Sequence, residues 1–233
     1  MDTACPHCSG THIVHNGFIR NVRRWLYRDC NRTFTRTTPR GQPVASKALA
    51  VLLYTHGLSL SAIGKIVEVS TVTVLRWVRE FAREHYAKPV PDGKMVIIEI
   101  DEMWHYLKKK LCPVLIWKAV CRTSGRLLDW EIGDRSAATL QRLIDRLSKW
   151  PVVVYCGDHW DAYAAVIPEV QLIQSKTVTD TVERNNCLQR QWFKRFGRKS
   201  IMVSKSLEMI DLTMALFALL HVNGNADSLI SLL

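Results

Sequence analysis

The fold is decided by the stretch MVIIEID, which occupies residues 95–101 of the 233-residue chain. Apolar residues dominate it, only Glu99 interrupts them, and the stretch ends on the carboxylate of Asp101. A short apolar run of this kind is typical of a buried strand. A carboxylate at the edge of a buried strand is costly unless it binds something. The stretch therefore predicts both a sheet and a site at the edge of that sheet.

The sequence after this strand predicts an alternation of strands and helices. We expect two more strands in a meander, an amphipathic helix, a buried strand, a short helix, a short strand and a long helix. Apart from the short helix, which precedes the last strand, they are placed at residues 112–120, 126–132, 136–150, 152–156, 170–173 and 177–196. This is the order of a ribonuclease-H-like α/β domain, a mixed five-stranded sheet flanked by helices, which we assign to residues 95–233.

Three acidic residues stand where such a fold brings side chains together. Asp101 ends the first strand, Asp158 ends the fourth, and Glu183 lies on the long helix that packs across the sheet. Divalent ions need carboxylates from several elements, and a two-metal site holds its ions about 4 Å apart. We therefore predict that these three residues bind two Mg²⁺ or Mn²⁺ ions, with side chains within about 4–8 Å of one another.

Nearby carboxylates are the alternatives to these three ligands. Residues two apart in a strand share one face of the sheet, so Glu99 is the most serious alternative to Asp101. Glu102 and Asp161 adjoin the predicted ligands and are further alternatives. Ion pairing at the surface is the role for these acids that needs no metal.

The long helix also carries candidate DNA contacts. Arg190 falls on the same face as Glu183, because seven residues make nearly two turns. Lys194 follows on that face, and the basic pair Arg198-Lys199 comes next. A cation two turns from a catalytic carboxylate can hold a DNA phosphate beside the metal ions. A basic face that is merely solvated is the alternative.

The first 40 residues contain an incomplete metal motif. Cys5 and Cys8 form one Cys-x-x-Cys pair, whereas the second pair keeps only Cys30 and has Tyr27 in place of its partner. A zinc ribbon holds its ion with four ligands in a tetrahedron. We predict a zinc-ribbon-like β module over 1–40, in which Zn²⁺ needs a histidine to complete its shell: His7, His12 or His15. The alternative is a metal-free hairpin held by three aromatic residues: Phe18, Trp25 and Phe34.

Arginines are interspersed among these aromatic residues, and only Asp29 opposes their charge. They are Arg20, Arg23, Arg24, Arg28 and Arg32, with Arg36 and Arg40 beyond them. Arginine in such a pattern suits contacts with DNA phosphates and insertion into a groove. We therefore predict that the module binds DNA, with a solvated basic face as the alternative.

Residues 41–88 predict a helix-turn-helix domain. Apolar residues recur at helical spacing up to Gly57, a short helix follows at 59–67, and a turn at 68–70 precedes a third helix. The second helix of such a motif enters the major groove with its first residues. The predicted base contacts are Thr71, Thr73 and Arg76. A helical bundle without a DNA role is the alternative, and residues 89–94, with two prolines and a glycine, predict a linker.

The charge of the chain favours a nucleic-acid partner. Its net charge is +11, with 13 basic against 5 acidic residues up to Lys88 and 19 against 16 after it. No long uncharged apolar run suggests a membrane span. The opening residues lack the basic-then-apolar order of a signal peptide, so a cytoplasmic protein that joins the nucleoid when bound to DNA is expected. Seven irregularly spaced cysteines argue against a disulfide framework.

Three sequence blocks, in their order and spacing, resemble transposases of the IS-one family of insertion sequences. The blocks are IDEMW at 100–104, GDHWDAY at 157–163 and VERNN at 182–186, followed by Arg190, GRKS at 197–200 and SKS at 204–206. The resemblance covers nearly the whole chain. It implies that Asp101, Asp158 and Glu183 form a DDE triad and that Arg190 is the basic residue after it. The ribbon of that family has four cysteines, so Tyr27 is a departure.

The resemblance implies an enzyme that binds terminal inverted repeats in double-stranded DNA, cleaves strands at the element's ends and joins the 3′ ends to target DNA by two-metal-ion transesterification. Two ends must be processed, so at least a dimer on DNA is expected; the apolar segment 207–220 either completes the core or also contacts the second chain. The alternatives are a DNA-binding regulator with an unused nuclease fold and a ribonuclease H or junction resolvase. The latter leaves the helix-turn-helix unexplained.

Overall fold

The computed structural model describes residues 4–5, 7–35, 41–109, 111–197, 200 and 202–224. The chain forms two compact units, Met1–Pro43 and Val44–Leu233. The predicted DNA contacts Arg198 and Lys199 lie outside the described residues, as do Arg36 and Arg40. Within the described ranges, the helices are all too short or too polar to cross a bilayer.

The first unit contains an antiparallel sheet of three short strands. These are β1 (Ile13–Ile19), β2 (Val22–Tyr27) and β3 (Arg32–Phe34). Arg20 and Asn21, which join β1 to β2, have φ values of 48° and 61°. Two residues with positive φ form the primed turn that matches the twist of a hairpin. The predicted β module is therefore a hairpin extended by one strand.

The core of this unit is small and contains sulfur. Its buried side chains are those of Cys5, Tyr27 and Phe34, and Trp25 packs against them. Phe18, which the metal-free alternative assigned to this core, is instead 65% exposed. So few buried side chains contribute little hydrophobic free energy. Apolar burial alone therefore stabilises this module only weakly.

The second unit begins with three helices, α1 (Val44–Thr55), α2 (Leu60–Ile66) and α3 (Thr71–Glu84). Ser59 and Ser70 begin α2 and α3. Each side-chain oxygen accepts a 3.1 Å hydrogen bond from the backbone N–H three residues later. Such caps satisfy N–H groups that the helix cannot pair itself. The arrangement of a short helix, a turn and a capped helix is the one that the sequence predicts.

A five-stranded mixed sheet follows. Its strands are β4 (Val96–Tyr106), β5 (Pro113–Cys121), β6 (Leu127–Gly133), β7 (Val152–Gly157) and β8 (Leu172–Gln174). They lie in the order β6-β5-β4-β7-β8. The first three form an antiparallel meander, whereas β7 is parallel to β4 and β8 is parallel to β7. The predicted mixed five-stranded sheet is confirmed.

The first strand of this sheet is longer than predicted. β4 continues to Tyr106, so Asp101 lies inside the strand and not at its end. The reason is that β5 pairs with β4 from Ile98 to Tyr106, where Tyr106 lies opposite Pro113. β7 pairs with β4 only up to Glu99. Asp101 is therefore placed just beyond the point where β4 loses one of its two neighbours.

Helices cover both faces of the sheet. They are α4 (Ala137–Leu147), α5 (Asp161–Val166), α6 (Asp180–Trp192) and α7 (Leu207–Phe217). α4 and α5 pack on one face. α6, α7 and the three preceding helices share a core with the other face. Of the eleven residues of α7, eight are buried, and Leu207 is its large exposed apolar side chain. α7 therefore completes the core, and the expected second apolar face for a partner is reduced to Leu207.

The three-helix segment and the sheet form one compact unit. The Tyr54 hydroxyl lies 2.8 Å from Thr213 Oγ1 of α7, and both side chains are buried. Lys88 Nζ donates to Asp129 of β6 at 2.6 Å, which holds the chain against the sheet just before the predicted linker. Residues 89–94 thus connect two parts of one unit. The predicted division of this unit into a helix-turn-helix domain and a catalytic domain stays a prediction.

We expect the second unit to unfold as one cooperative body, because the three helices share a core with α7. Tyr54→Phe should lower the melting temperature of the whole unit by about 2–4 °C, the loss of one buried hydrogen bond worth about 1 kcal/mol. A fragment of residues 44–94 should show little stable helix. Circular dichroism melts of the full chain, the variant and the fragment test this. A fragment that melts cooperatively with full helical signal would contradict it.

Candidate functional site

The two predicted catalytic aspartates belong to one edge of the sheet. Asp101 lies opposite Lys118 in the β4–β5 pair. β7, the other neighbour of β4, ends at Gly157, and Asp158 follows at once. Because β7 runs parallel to β4, its carboxyl end points the same way as that of β4. Side chains outside the carboxyl ends of parallel strands are a common place for ligand sites.

A fully buried carboxylate fixes the helix that carries Glu183. Glu99 accepts hydrogen bonds from the backbone N–H groups of Thr181 (2.7 Å) and Val182 (2.9 Å), in the first turn of α6. Its other oxygen lies 3.6 Å from a nitrogen of Arg122. The positive end of a helix stabilises an anion. Glu99, the strongest alternative ligand, is therefore engaged in anchoring α6 to the sheet.

Asn186 connects α6 to Asp101. Its Nδ2 donates a 2.8 Å hydrogen bond to Asp101 Oδ2, so Asp101 and Glu99 share a sheet face as strand alternation predicts. Asn186 lies three residues, about one turn, after Glu183, so this contact brings Glu183 to the side of Asp101. Glu183 also accepts a 3.1 Å hydrogen bond from the Thr179 hydroxyl. Sequence reasoning missed Asn186, although its spacing from Glu183 was the available signal.

The charges of the three carboxylates act on one another. Burial, and then the charges of Asp158 and Glu183, raise the pKa of Asp101 to about 6. Their oxygens do not form a group within 4.8 Å of one another; in the part of the chain that the structure describes, only a cysteine cluster does so. Asp158 and Glu183 are thus close enough for their charges to affect Asp101, and the separation of 4–8 Å stays a prediction.

Arg135 is a cation at this edge that sequence reasoning missed. Its Nε pairs with Glu102 at 2.7 Å, a second nitrogen lies 3.9 Å from Asp158, and its guanidinium stacks 5.3 Å from the Trp160 ring. Burial raises the pKa of Glu102 to about 7, in spite of Arg135. Strand alternation puts Glu102 on the face opposite Asp101. Arg135 therefore places positive charge beside Asp158.

A buried lysine was also missed. Lys118 Nζ donates to Asn185 Oδ1 at 2.9 Å and lies 5.0 Å from the Phe217 ring centre. Burial, and then the nearby charge of Arg190, lower the pKa of Lys118 well below its ordinary value. Arg190 of α6 therefore lies near Lys118, the cross-strand neighbour of Asp101.

Lys194 does not continue the helical face of Glu183 and Arg190, so that expectation is wrong. α6 ends at Trp192, and residues Lys194–Phe196 form a separate 3₁₀ turn. The backbone leaves the helix at Phe193, whose side chain is almost fully buried. Burying this ring ends the helix four residues earlier than predicted. Lys194 itself is exposed.

The predicted DNA contacts lie mostly at the surface. In the first unit Arg20, Arg23, Arg28 and Arg32 are exposed and Arg24 is half-buried. Arg24 donates to Thr33 at 2.8 Å, which ties it to β3. In the second unit Thr71 and Arg76 are exposed and Thr73 is half-buried. The Thr73 hydroxyl forms a hydrogen bond with the hydroxyl of the capping residue Ser70. Arg76 lies 3.8 Å from Glu80, a weak exposed pair.

The three cysteines of the predicted ribbon form a cluster. The sulfurs of Cys5, Cys8 and Cys30 all lie within 4.8 Å of one another. Tyr27 donates its hydroxyl to Asp29 at 2.6 Å, and this bond raises the pKa of the phenol to about 12. No histidine belongs to the cluster among the described residues. The candidates engage other groups: His7 contacts Arg32, His12 faces Asp29, and His15 packs on Phe18 and Trp25.

Comparison with known proteins identifies relatives of the second unit. A family model described as IS1 transposase matches residues 94–222. The IS1 protein InsB of Shigella flexneri is 36% identical over 117 residues, which is 50% of this chain and 89% of the relative. The iso-IS1n protein InsB of Shigella dysenteriae is 28% identical over 127 residues, 54% of this chain and 97% of the relative. Among solved structures, the catalytic core domain of BIV integrase matches weakly, with 14% identity and a TM-score of 0.39 over 58% of this chain and 93% of that one.

The raised pKa of Asp101 makes a prediction about stability. The folded chain binds the Asp101 proton more tightly than the unfolded chain does. The stabilisation that this proton gives to the folded state is therefore fully present below pH about 4. It is lost as the pH rises through about 6, at a cost of up to roughly 3 kcal/mol of unfolding free energy. Asp101→Asn should remove this loss and make the protein more stable at pH 7.

Denaturant unfolding from pH 4 to 7, with a chelator present, measures this difference. Asp161→Asn, which removes an exposed carboxylate on α5, is the matched control. The stability gained by Asp101→Asn over the starting protein should grow with pH, whereas the control should show no such trend. A gap that does not change with pH would rule out the raised pKa of Asp101.

Proposed function

Because the chain belongs to the IS1 transposase family, we propose that it binds the terminal inverted repeats of an insertion sequence, cleaves DNA strands at its ends and joins the 3′ ends to target DNA. What supports it is geometric: Asp158 directly follows the parallel neighbour of the strand that carries Asp101, and Asn186, one turn after Glu183, hydrogen-bonds Asp101. Like charges gathered in this way are costly unless a cation accompanies them. Such a site would bind cations, and the bound cations would attract a phosphate.

The donor set fits hard divalent ions. All three acids offer carboxylate oxygens, which Mg²⁺ and Mn²⁺ prefer. Beside them, Asn186 Oδ1 is buried without a hydrogen-bond partner among the described residues. Asp101, Asp158 and Glu183 are the proposed ligands of two ions. Bound there, the ions would lower the pKa of an attacking water or 3′-hydroxyl and stabilise the leaving oxygen.

The other residues of the site have supporting roles in this proposal. Asn186 holds the Asp101 carboxylate in one orientation, as partners of metal ligands commonly do. Glu99 holds the start of α6 and therefore Glu183. Arg135, beside Asp158, and Arg190, near Lys118, supply positive charge that could hold a DNA phosphate.

The remaining proposed contacts hold the DNA. The exposed arginines of the first unit contact phosphates, which fix position without reading sequence. The start of α3, with Thr71, Thr73 and Arg76, reads base edges in the major groove. Lys194, Arg198 and Lys199 contact DNA beyond α6. Two ends are joined to one target, so at least two chains act together on DNA.

Zn²⁺ is proposed for the cysteine cluster. Three thiolates are a strong zinc donor set, and their convergence in the core of a small module is the supporting observation. The fourth position is not filled by Tyr27, because its hydroxyl is bonded to Asp29. A water molecule is the proposed fourth ligand. The ion would then stabilise the module without the fourth cysteine of the family's ribbon.

Removing any one of the three acids should abolish DNA cleavage. The substrate is a duplex copied from the element's end, identified by short inverted repeats in the DNA that flanks the gene. With Mg²⁺, Asp101→Asn, Asp158→Asn and Glu183→Gln should each cut at least about a thousandfold more slowly. Binding of the same duplex should change by less than about threefold, because an acid contributes little to holding a polyanion.

Asp161→Asn is the control and should cut normally. Melting curves check that each variant is folded. A triad variant that is folded, binds and cuts at the normal rate would remove its residue from the site. Binding without any cutting by the unaltered chain would favour the regulator instead.

Zinc binding can be measured directly on the purified chain. We expect about one zinc per chain, and chelation should lower the melting temperature of the first unit, since metal binding and folding are coupled in such modules. Cys30→Ser should lose the zinc, whereas Cys187→Ser, which removes an exposed cysteine on α6, should keep it. A metal-free chain whose first unit melts normally would contradict the assignment.

A further inference from the structure

A basic cavity lies where the three-helix segment meets the chain after α6. Its volume is about 320 Å³, and its walls come from α2, α3, the segment around 202–206 and the start of α7. Three cations line it, Arg79, Arg195 and Lys205. Among the described residues that line it, none is acidic. Three positive charges around so small a space repel one another unless an anion enters.

Arg195 is held in place by a ring contact, and Arg79 has a buried donor without a partner among the described residues. Arg195 packs its guanidinium 4.7 Å from the centre of the Tyr54 ring, a contact that fixes the side chain without neutralising it. Arg79 is half-buried on α3, and its Nε is buried without a hydrogen-bond partner in the described part of the chain. A buried donor of this kind is costly unless a partner arrives. Both features indicate that the cavity is a binding site for an anion.

The surrounding acids are already engaged. Glu208, in the first turn of α7, pairs with Arg83. Glu80 lies beside Arg76. The N-terminus of the eleven-residue α7, capped by Ser206, adds the positive end of a helix to the cavity wall. The local field of the cavity is therefore positive.

We propose that this cavity binds one phosphate of the DNA backbone. The proposal rests on the proposed function and adds a contact to it. Arg76, Arg79 and Arg83 line a groove along α3 that adjoins the cavity through Arg79. If the bases of a DNA strand face the start of α3, one of its backbone phosphates would therefore lie in the cavity, in contact with Arg79, Arg195 and Lys205. Arginine suits this role because its planar fork matches phosphate oxygens.

This contact would fix the distance between reading and cutting. The cavity belongs to the compact second unit, whose helices share a core with the sheet. A phosphate held there is fixed relative both to α3 and to the end of the sheet that carries Asp101 and Asp158. The bound strand is then held in one register, and the cut falls a constant number of bases from the recognised sequence.

The test compares two variants with the same change of charge in the full-length chain. Lys205 is exposed, so Lys205→Gln removes a cavity cation with little risk to folding. Lys149→Gln removes an exposed cation just after α4 and is the matched control. The probe is a 30-base-pair duplex of fixed sequence, and its affinity is measured by fluorescence anisotropy across a range of salt concentrations.

Lys205→Gln should weaken binding roughly three- to tenfold and lower the slope of log affinity against log salt by about 0.9, the value for one phosphate contact. Lys149→Gln should leave the slope unchanged. Arg79→Gln, checked for folding by its melting curve, should match Lys205→Gln, and the double variant should lose little more slope than either. Equal slopes for Lys205→Gln and Lys149→Gln would overturn the cavity assignment while the function stands. An unaltered chain that does not bind the duplex would instead overturn the proposed function.

Discussion

The carboxylate of Glu99 joins the sheet to α6, and the geometry of the site depends on this junction. It is fully buried, and two backbone N–H groups at the start of the helix donate to it. A charge in such a position is tolerated because the helix end satisfies it. The bond fixes where α6 begins and, through the helical repeat, where Glu183 and Asn186 lie. The position of Glu183, one of the proposed metal ligands, is therefore set in part by Glu99.

Two further polar side chains on this face of the sheet, Asp101 and Lys118, are hydrogen-bonded by the same helix. β4 is buried on both faces: Ile98 and Ile100 pack against α4 and α5, whereas Glu99 and Asp101 face α6. Two successive amides of α6 meet charges of the sheet, Asn185 the ammonium of Lys118 and Asn186 the carboxylate of Asp101. Buried polar groups of this kind need partners, and each partner restricts the helix further. The helix is thus positioned by hydrogen bonds as well as by apolar packing.

Sequence patterns predicted the order of the sheet's elements, because burial imposes periodicities that a strand or a helix cannot hide. Strand alternation correctly placed Glu99 and Asp101 on one face. The patterns could not show where β7 stops pairing with β4, since that depends on strand register. They also missed Arg135 and Lys118, whose neighbours come from distant parts of the chain. The early end of α6 at Trp192 was set by burial of Phe193, a tertiary effect that local propensity does not contain.

The shared core of the three helices and the sheet has a consequence for how such elements diverge. Val74, Trp77 and Val78 of α3 are buried in that core, so these positions cannot change without cost to the fold. Only the outward positions of α3 remain free to vary. Replacing the three helices as a block with those of a relative would disrupt this shared core, whereas changes at exposed α3 positions would leave it intact.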